Sequence, residues 1–407
     1  MSKAILIIGI NYSPEITGIG KYTAEFATYL ANEKEYEVTV VTGVPYYPQW
    51  SIYKGYRNKF FNEEIKGVSV YRSPLFIPSN PSGGKRLLQD FLFFICSFLY
   101  ISRLIVGRKR FDVVFIPVPS FALGLLGIYY RGFFNKSKVV YHIQDLQVDA
   151  AEKLGMIKST SLINFLFRIE KYILEKVDIV STISQGMKEK ILSKSSVLKE
   201  CLICPNWIDS SNIFPISNIL NQSMFPNKKI IFYSGAVGEK QGLEIIIDAA
   251  DFFYENEELL FIISGEGPYK EKLQAYAKQK ELKNLVFLSL LPIEEFNKML
   301  NASFIHLVIQ KESGSDLFLP SKLTNILGVG GCVIVTATPQ TSLYEIIDTN
   351  KCGYLIPPSS LIDFSNSIKE LYQNNELRNR LKENAISYAK KSLYKANIIE
   401  KYLEQIN

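Results

Sequence analysis

Short runs of β-branched and aromatic residues alternate with longer amphipathic stretches along the whole chain. In the first half, apolar runs at 4–9, 38–42, 68–72, 113–116, 139–142, 179–183 and 202–204 predict strands. Helical spacing fills most of the gaps, at 21–32, 87–106, 121–130, 162–176 and 185–192. The second half repeats the pattern. Strands are expected at 230–233, 260–264, 285–288, 304–308, 333–336 and 354–356. Helices are expected at 243–254, 269–279, 293–301, 321–329, 342–348, 361–374 and 377–390. Such alternation implies parallel sheets with helices on both faces. The stretch 206–228 interrupts the period with an irregular, Asn- and Ser-rich segment. The expectation is an α/β chain of two facing, Rossmann-like, doubly wound domains. The first spans 1–205, a linker 206–228, the second 229–390, and a C-terminal helix over 391–407 packs back on the first. Ligands of open α/β sheets bind outside the carboxyl ends of the strands. Two such domains can bracket two substrates, which suits group transfer.

Composition narrows this picture. The 407 residues are 47% apolar and 21% charged, which excludes a disordered or fibrous chain. The net charge of +6 permits contact with phosphates or an anionic membrane without requiring either, and no nucleic-acid partner is expected. His142 and His306 are the only histidines, so a multi-histidine zinc site is excluded. Of the five cysteines only Cys201 and Cys204 form a C-x-x-C pair, with no second pair to complete a four-ligand site. Buried, reduced thiols in a cytoplasmic protein, with no metal and no cofactor, are expected. Residues 1–9 read as a first buried strand, not as a signal peptide. The segment 91–102 is apolar all round and flanked by Lys85-Arg86, Arg103 and Arg108-Lys109-Arg110. Twelve residues fall short of the ~20 that span a bilayer. A helix apolar on every side is expected to be core; an interfacial helix with a basic rim is the alternative.

Candidate chemistry sits in loops after strands. Gly18 and Gly20 stand at the mouth of a helix about ten residues after the first strand, too far for a dinucleotide fingerprint. They suit close approach of a phosphate to backbone N–H groups. The second domain opens on a similar loop, with Gly235, Lys240 and Gly242 ahead of a helix. A lysine there is a point charge for a diphosphate. Near Asp316, Pro320 and Ser321 start a further helix with Lys322 in its first turn. The helix dipole disfavours a cation at that place, which suggests an anionic ligand. Asn325 follows three residues on, on the same face. His142 ends a strand and is followed closely by Asp145, whereas His306 is mid-strand and reads as structural.

These loops, in this order, resemble family-4 glycosyltransferases of the GT-B fold over essentially the whole chain. Asn206-Trp207-Ile208-Asp209 through Phe214-Pro215 is similar to the family's interdomain motif, and Ser264-Gly265-Glu266-Gly267-Pro268 to its G-x-G-P turn. The resemblance is closest to the colanic-acid-type subgroup, linked to fucosyl transfer. It rests on Pro14-Glu15-Ile16-Thr17-Gly18-Ile19-Gly20-Lys21-Tyr22, Pro45-Tyr46-Tyr47-Pro48, His142-Ile143-Gln144-Asp145 and Pro320-Ser321-Lys322-Leu323-Thr324-Asn325. It implies transfer of a sugar, fucose or a related deoxyhexose, from a nucleotide-diphosphate sugar to a polyprenyl-diphosphate-linked saccharide. Retention of configuration, no metal, and a cytoplasmic enzyme peripheral on the inner face of the plasma membrane are implied as well. It assigns His142 and Lys240 to catalysis, and Asp145 or Glu15 is expected to orient the acceptor or act as base. Gly18, Gly20, Gly235, Lys240, Gly242, Gly265, Asp316, Ser321, Lys322 and Asn325 fall to the donor, and Glu15, Lys21 and Tyr46 to the acceptor. The sequence departs from the family pattern at Ala236, where an arginine is usual, and at Leu317 and Asn325, where paired glutamates are usual. Two other classes stay open: a nucleotide-sugar epimerase on the same fold, and a non-catalytic membrane scaffold, which the departures at Ala236 and Asn325 motivate.

Overall fold

The structure is a computed structural model. It describes residues 2–406 except 16–17, 80–81, 154–156, 158, 209, 218–223, 311–320 and 340; the side chains of Lys153, Lys240 and Ser321 also lie outside the description. Asp316 and Leu317 are therefore outside the described residues, and Lys240 and Ser321 are placed by backbone alone. The chain divides into two compact units. One comprises Met1–Ile183, Met187–Cys204 and Tyr402–Asn407; the other comprises Ser184–Gly186 and Pro205–Lys401.

Among the described residues the first unit has eight strands: β1 (Ala4–Ile8), β2 (Glu37–Gly43), β3 (Phe61–Ile65), β4 (Val68–Ser73), β5 (Val113–Val118), β6 (Lys138–Ile143), β7 (Ile179–Thr182) and β8 (Leu202–Ile203). Their order is β3-β4-β2-β1-β5-β6-β7-β8. Every pairing is parallel except β3 with β4. Helices α1 (Gly18–Glu33), α2 (Gly83–Val106), α3 (Gly124–Phe133), α4 (Gln147–Lys153), α5 (Thr160–Lys176) and α6 (Gln185–Ser193) follow between strands. β5 is buried at all six positions, as a central parallel strand covered on both faces must be. β3 was not among the expected strands. Its sequence Phe-Asn-Glu-Glu-Ile is polar, and it forms only because it lies at the sheet edge and is tied to β4. The tie is a two-residue turn, Lys66-Gly67, in which both residues have positive φ (50° and 78°).

Helix α2 corrects the expectation of a buried core helix. It runs for 24 residues and packs only one stripe inward: Gln89, Phe93, Ser97, Tyr100, Ile101 and Leu104. Leu88, Phe91, Leu92, Ile95, Phe98 and Leu99 stay exposed on the outer side, Phe91 by 59%. The helix is long and apolar enough to cross a membrane by length and composition alone.

Among the described residues the second unit has six parallel strands: β9 (Lys229–Ser234), β10 (Leu259–Ser264), β11 (Leu285–Leu288), β12 (Ile305–Val308), β13 (Val333–Thr336) and β14 (Tyr354–Ile356), in the order β11-β10-β9-β12-β13-β14. Its helices are α7 (Glu244–Phe252), α8 (Lys270–Gln279), α9 (Ile293–Ala302), α10 (Ser321–Gly328), α11 (Ser342–Asn350), α12 (Leu361–Gln373), α13 (Asn375–Ser392) and α14 (Lys395–Ile406), the last continuing into the first unit from Tyr402. Strand residues alternate between two cores. Ile231, Phe261, Ile263, Ile305 and Ile334 join α7 and α12 on one face. Ile230, Phe232, Leu260, Ile262 and Val333 join α9, α10 and α13 on the other. Both sheets are thus doubly wound, and each has one point where the strand order reverses: between β1 and β5, and between β9 and β12. Crevices at such points hold ligands in this architecture.

Candidate active site

At the reversal point of the first unit, the loop after β1 is held by Glu15. This carboxylate is 3% exposed. It accepts from the Tyr46 and Tyr47 backbone N–H groups at 2.9 and 3.0 Å, and from the Asn11 side-chain amide at 2.8 Å. Burial pushes its carboxyl above the usual range, while those donors pull the other way. Glu15 therefore clamps the β1 loop to the β2 loop. Gly20, in the first turn of α1, leaves room for the clamp: a Cβ there would stand 2.8 Å from Glu15 Oε2 and 3.2 Å from the Tyr12 nitrogen. Gly18 opens the helix at φ +63°. Lys21 reaches toward Glu25 at 3.8 Å. Arg72 is fully buried below and braces the same loop through the Ser13 and Gly43 carbonyls and Glu63.

His142 lies near the carboxyl end of β6. Its imidazole is 3% exposed on β6, stacked on Phe115 at 5.7 Å, with Nδ1 3.0 Å from Ser181 Oγ. Ser181 Oγ in turn lies 2.6 Å from the Tyr402 hydroxyl. Burial pulls the imidazole down to about 3, so it is uncharged near neutrality. The structure gives His142 a neutral, packed setting that reaches Tyr402 of α14 through Ser181. The strand mouth itself presents Gln144 and Asp145, the latter exposed. His306 is fully buried with a Cβ-free Gly331 against its ring, in keeping with a structural residue. The five cysteines are free, four of them buried, and among the described residues no three of His, Cys, Asp and Glu converge as metal ligands.

The second unit's reversal point is flanked by the loops after β9 and β12. The β9 loop is locked to the β10 loop by backbone alone. The Gly235 nitrogen donates to the Ser264 carbonyl and the Val237 nitrogen to the Glu266 carbonyl, both at 3.0 Å. A Cβ on Gly265 (φ +153°) would stand 1.9 Å from the Gly235 oxygen, so only glycine permits this approach. Gly242 closes the short turn Glu239–Gln241, which contains the Lys240 backbone, in a left-handed conformation ahead of α7.

Lys322 lies in the first turn of α10. Its Nζ stands 4.1 Å over the Tyr233 ring and 3.9 Å from where a Gly235 Cβ would be. Burial pulls this amine down from 10.5 to about 7. Asn325 is half-buried three residues on. The arrangement puts a cation, a helix N-terminus and a glycine loop at one strand mouth, which is the chemistry of a phosphate site. Of the expected donor residues described here, Gly235, Gly242, Gly265, Lys322 and Asn325 come from this one set of loops.

The family described as "Glycosyl transferases group 1" matches residues 217–388, and "Glycosyl transferase 4-like domain" matches residues 17–207. The chain is 36% identical, over 99% of its own length and 99% of the other's, to an Escherichia coli K12 protein whose name assigns it to colanic acid biosynthesis as the glycosyl transferase WcaI. Among solved structures it is similar to sucrose-phosphate synthase from Thermosynechococcus elongatus, with a TM-score of 0.73, 15% identity and coverage of 99% and 98%. It is also similar to Anabaena HepE solved with UDP and glucose, with a TM-score of 0.67, 12% identity and coverage of 99% of each chain.

Proposed function

This chain belongs to the group 1 glycosyl transferases of GT-B fold, and we propose that it moves fucose or a related deoxyhexose from a nucleotide-diphosphate sugar to a saccharide carried on a polyprenyl diphosphate. The observation that carries the donor half of this reading is Lys322 beside the Gly235 loop. A departing nucleoside diphosphate gains negative charge in the transition state. A cation already fixed at that point stabilises it more than it stabilises the ground state. Lys240, on the turn between the same strand and α7, supplies a second positive charge. Transfer with retention and without a metal follows a front-face course. The acceptor oxygen bonds to the anomeric carbon as the bond to the phosphate oxygen breaks, and the hydroxyl proton passes to that phosphate oxygen. Asp145 at the mouth of β6 orients the acceptor hydroxyl.

The lipid half rests on α2. Its exposed apolar side chains line one side of the helix, and Lys85, Arg103 and Arg108 flank it. A groove of about 420 Å³ between Phe60, Phe61, Leu99, Tyr100 and Arg103 continues the same surface. The packed stripe on the opposite side suits a helix lying along an anionic membrane face, not across it. The protein then works as a peripheral enzyme at the cytoplasmic face.

The test is release of nucleoside diphosphate from GDP- and UDP-deoxyhexoses, with and without polyprenyl-lipid extract. The proposal expects turnover that needs the lipid and transfers label to it. Label that stays in a rearranged nucleotide sugar would instead identify an epimerase. Lys322→Met is expected to lower kcat by about 10²-fold, the usual scale for one electrostatic donor.

A further inference from the structure

A second group of side chains lies on the first unit where the loops after β2, β5 and β6 meet the start of α2. Tyr46, Tyr47 and Trp50 form an edge-to-face cluster with centroids 5.5 to 6.4 Å apart. Trp50 holds φ at +53°, a conformation that bulky residues avoid, so the loop presents this half-buried ring at a cost. The Arg86 guanidinium lies 4.9 Å over the indole. One helical turn on, Asp90 accepts from Ser120 Oγ at the mouth of β5 and from Gln147 Nε2 after β6. Gln147 Oε1 accepts from the Phe121 nitrogen at 3.3 Å, so the β5 and β6 loops are fixed to each other and to α2. The charge of Arg86 acts on Asp90, Asp145 and Tyr46 alike.

An aromatic face, a guanidinium and two carboxylates in one patch match a hydroxyl-rich ring. The ring's C–H face packs on the indole while its hydroxyls meet charged donors and acceptors. Two carboxylates beside Arg86 offset its charge, which disfavours a phosphate there. We propose that Trp50 and Arg86 form the subsite for the acceptor's sugar ring, with Asp90 as a positioning residue that ties it to the β5 and β6 loops. This rests on the glycosyl-transfer reading, and names the part of the acceptor that the first unit recognises.

Trp50 and Trp207 are the only tryptophans, and Trp207 is buried, so intrinsic fluorescence reports on the site. The full-length protein is titrated with methyl pyranosides of hexoses and deoxyhexoses, with sorbitol as the acyclic control. A saturable change with at least one pyranoside, absent with sorbitol and absent in Trp50→Phe, supports the subsite. Arg86→Met, at an exposed position, is expected to weaken the response by about tenfold, the scale of a charged hydrogen bond. No saturable change in the wild type, or a change that survives in Trp50→Phe or is matched by sorbitol, overturns it. Stabilisation of the wild type by a nucleotide sugar is read separately, so loss of the acceptor subsite and loss of the transferase reading are distinguishable.

Discussion

Two residues carry most of the chemistry that can be argued one side chain at a time. Lys322 titrates near 7 in the fold and near 10.5 when unfolded. Its charged form is therefore disfavoured by folding. The cost is full below about pH 7 and fades as pH rises toward the unfolded value. Lys322→Met is thus expected to raise the melting temperature of the ligand-free protein at pH 6, with the difference shrinking by pH 10, as calorimetry across that range will show. Glu15 is the second. Glu15→Ala leaves the buried Tyr46 N–H and the half-buried Tyr47 N–H without their acceptor, and a loss of about 1–3 kcal/mol in denaturant unfolding is expected. Both residues were visible in the sequence, but for different reasons. Lys322 announced itself through a local conflict, a cation in the first turn of a helix. Glu15 suggested a catalytic or acceptor role because its donors, Tyr46 and Tyr47, are some thirty residues away in a loop whose path no spacing reveals. Trp50, Arg86 and Asp90 were missed for the same reason: three loops and a helix must fold before they share a patch.

At the level of elements, strands buried on both faces were legible because their sequences are apolar without interruption. β3 was not, since five half-exposed residues at a sheet edge take their order from β4. α2 was visible as a helix but not in its orientation, because a helix apolar on all sides gives no sign of which side packs. Replacing Leu88, Phe91 and Ile95 together by serine is expected to abolish co-sedimentation with anionic vesicles while leaving thermal stability near wild type, since these side chains are already exposed. Vesicle binding that survives the triple substitution would remove α2 from the membrane reading. The backbone lock between the β9 and β10 loops makes a sharper prediction. Gly265→Ala drives a methyl into the Gly235 carbonyl, and is expected to cost more than about 2 kcal/mol and to abolish nucleotide binding. Unfolding and nucleotide titration of the same variant check both.

For the whole molecule, the fold class and the family followed from the alternation of elements and from motifs spread over both halves. The 36% identity over nearly the full length rests on the same breadth. The candidate phosphate loops were legible in outline because the glycines and lysines assigned to them cluster in sequence around two strand ends. What the sequence could not show is which cation is buried deeply enough to be tuned. The central claim is that Lys322 holds the diphosphate. The most direct measurement is calorimetric titration of UDP and GDP into wild type and Lys322→Met at about pH 6.5 and about pH 8.5. With the free amine near 7, wild-type affinity for at least one nucleotide is predicted to fall about tenfold between the two pH values. The variant is predicted to bind weakly at both. Equal affinity of wild type and variant, or no binding of either nucleotide to the wild type, would contradict the account.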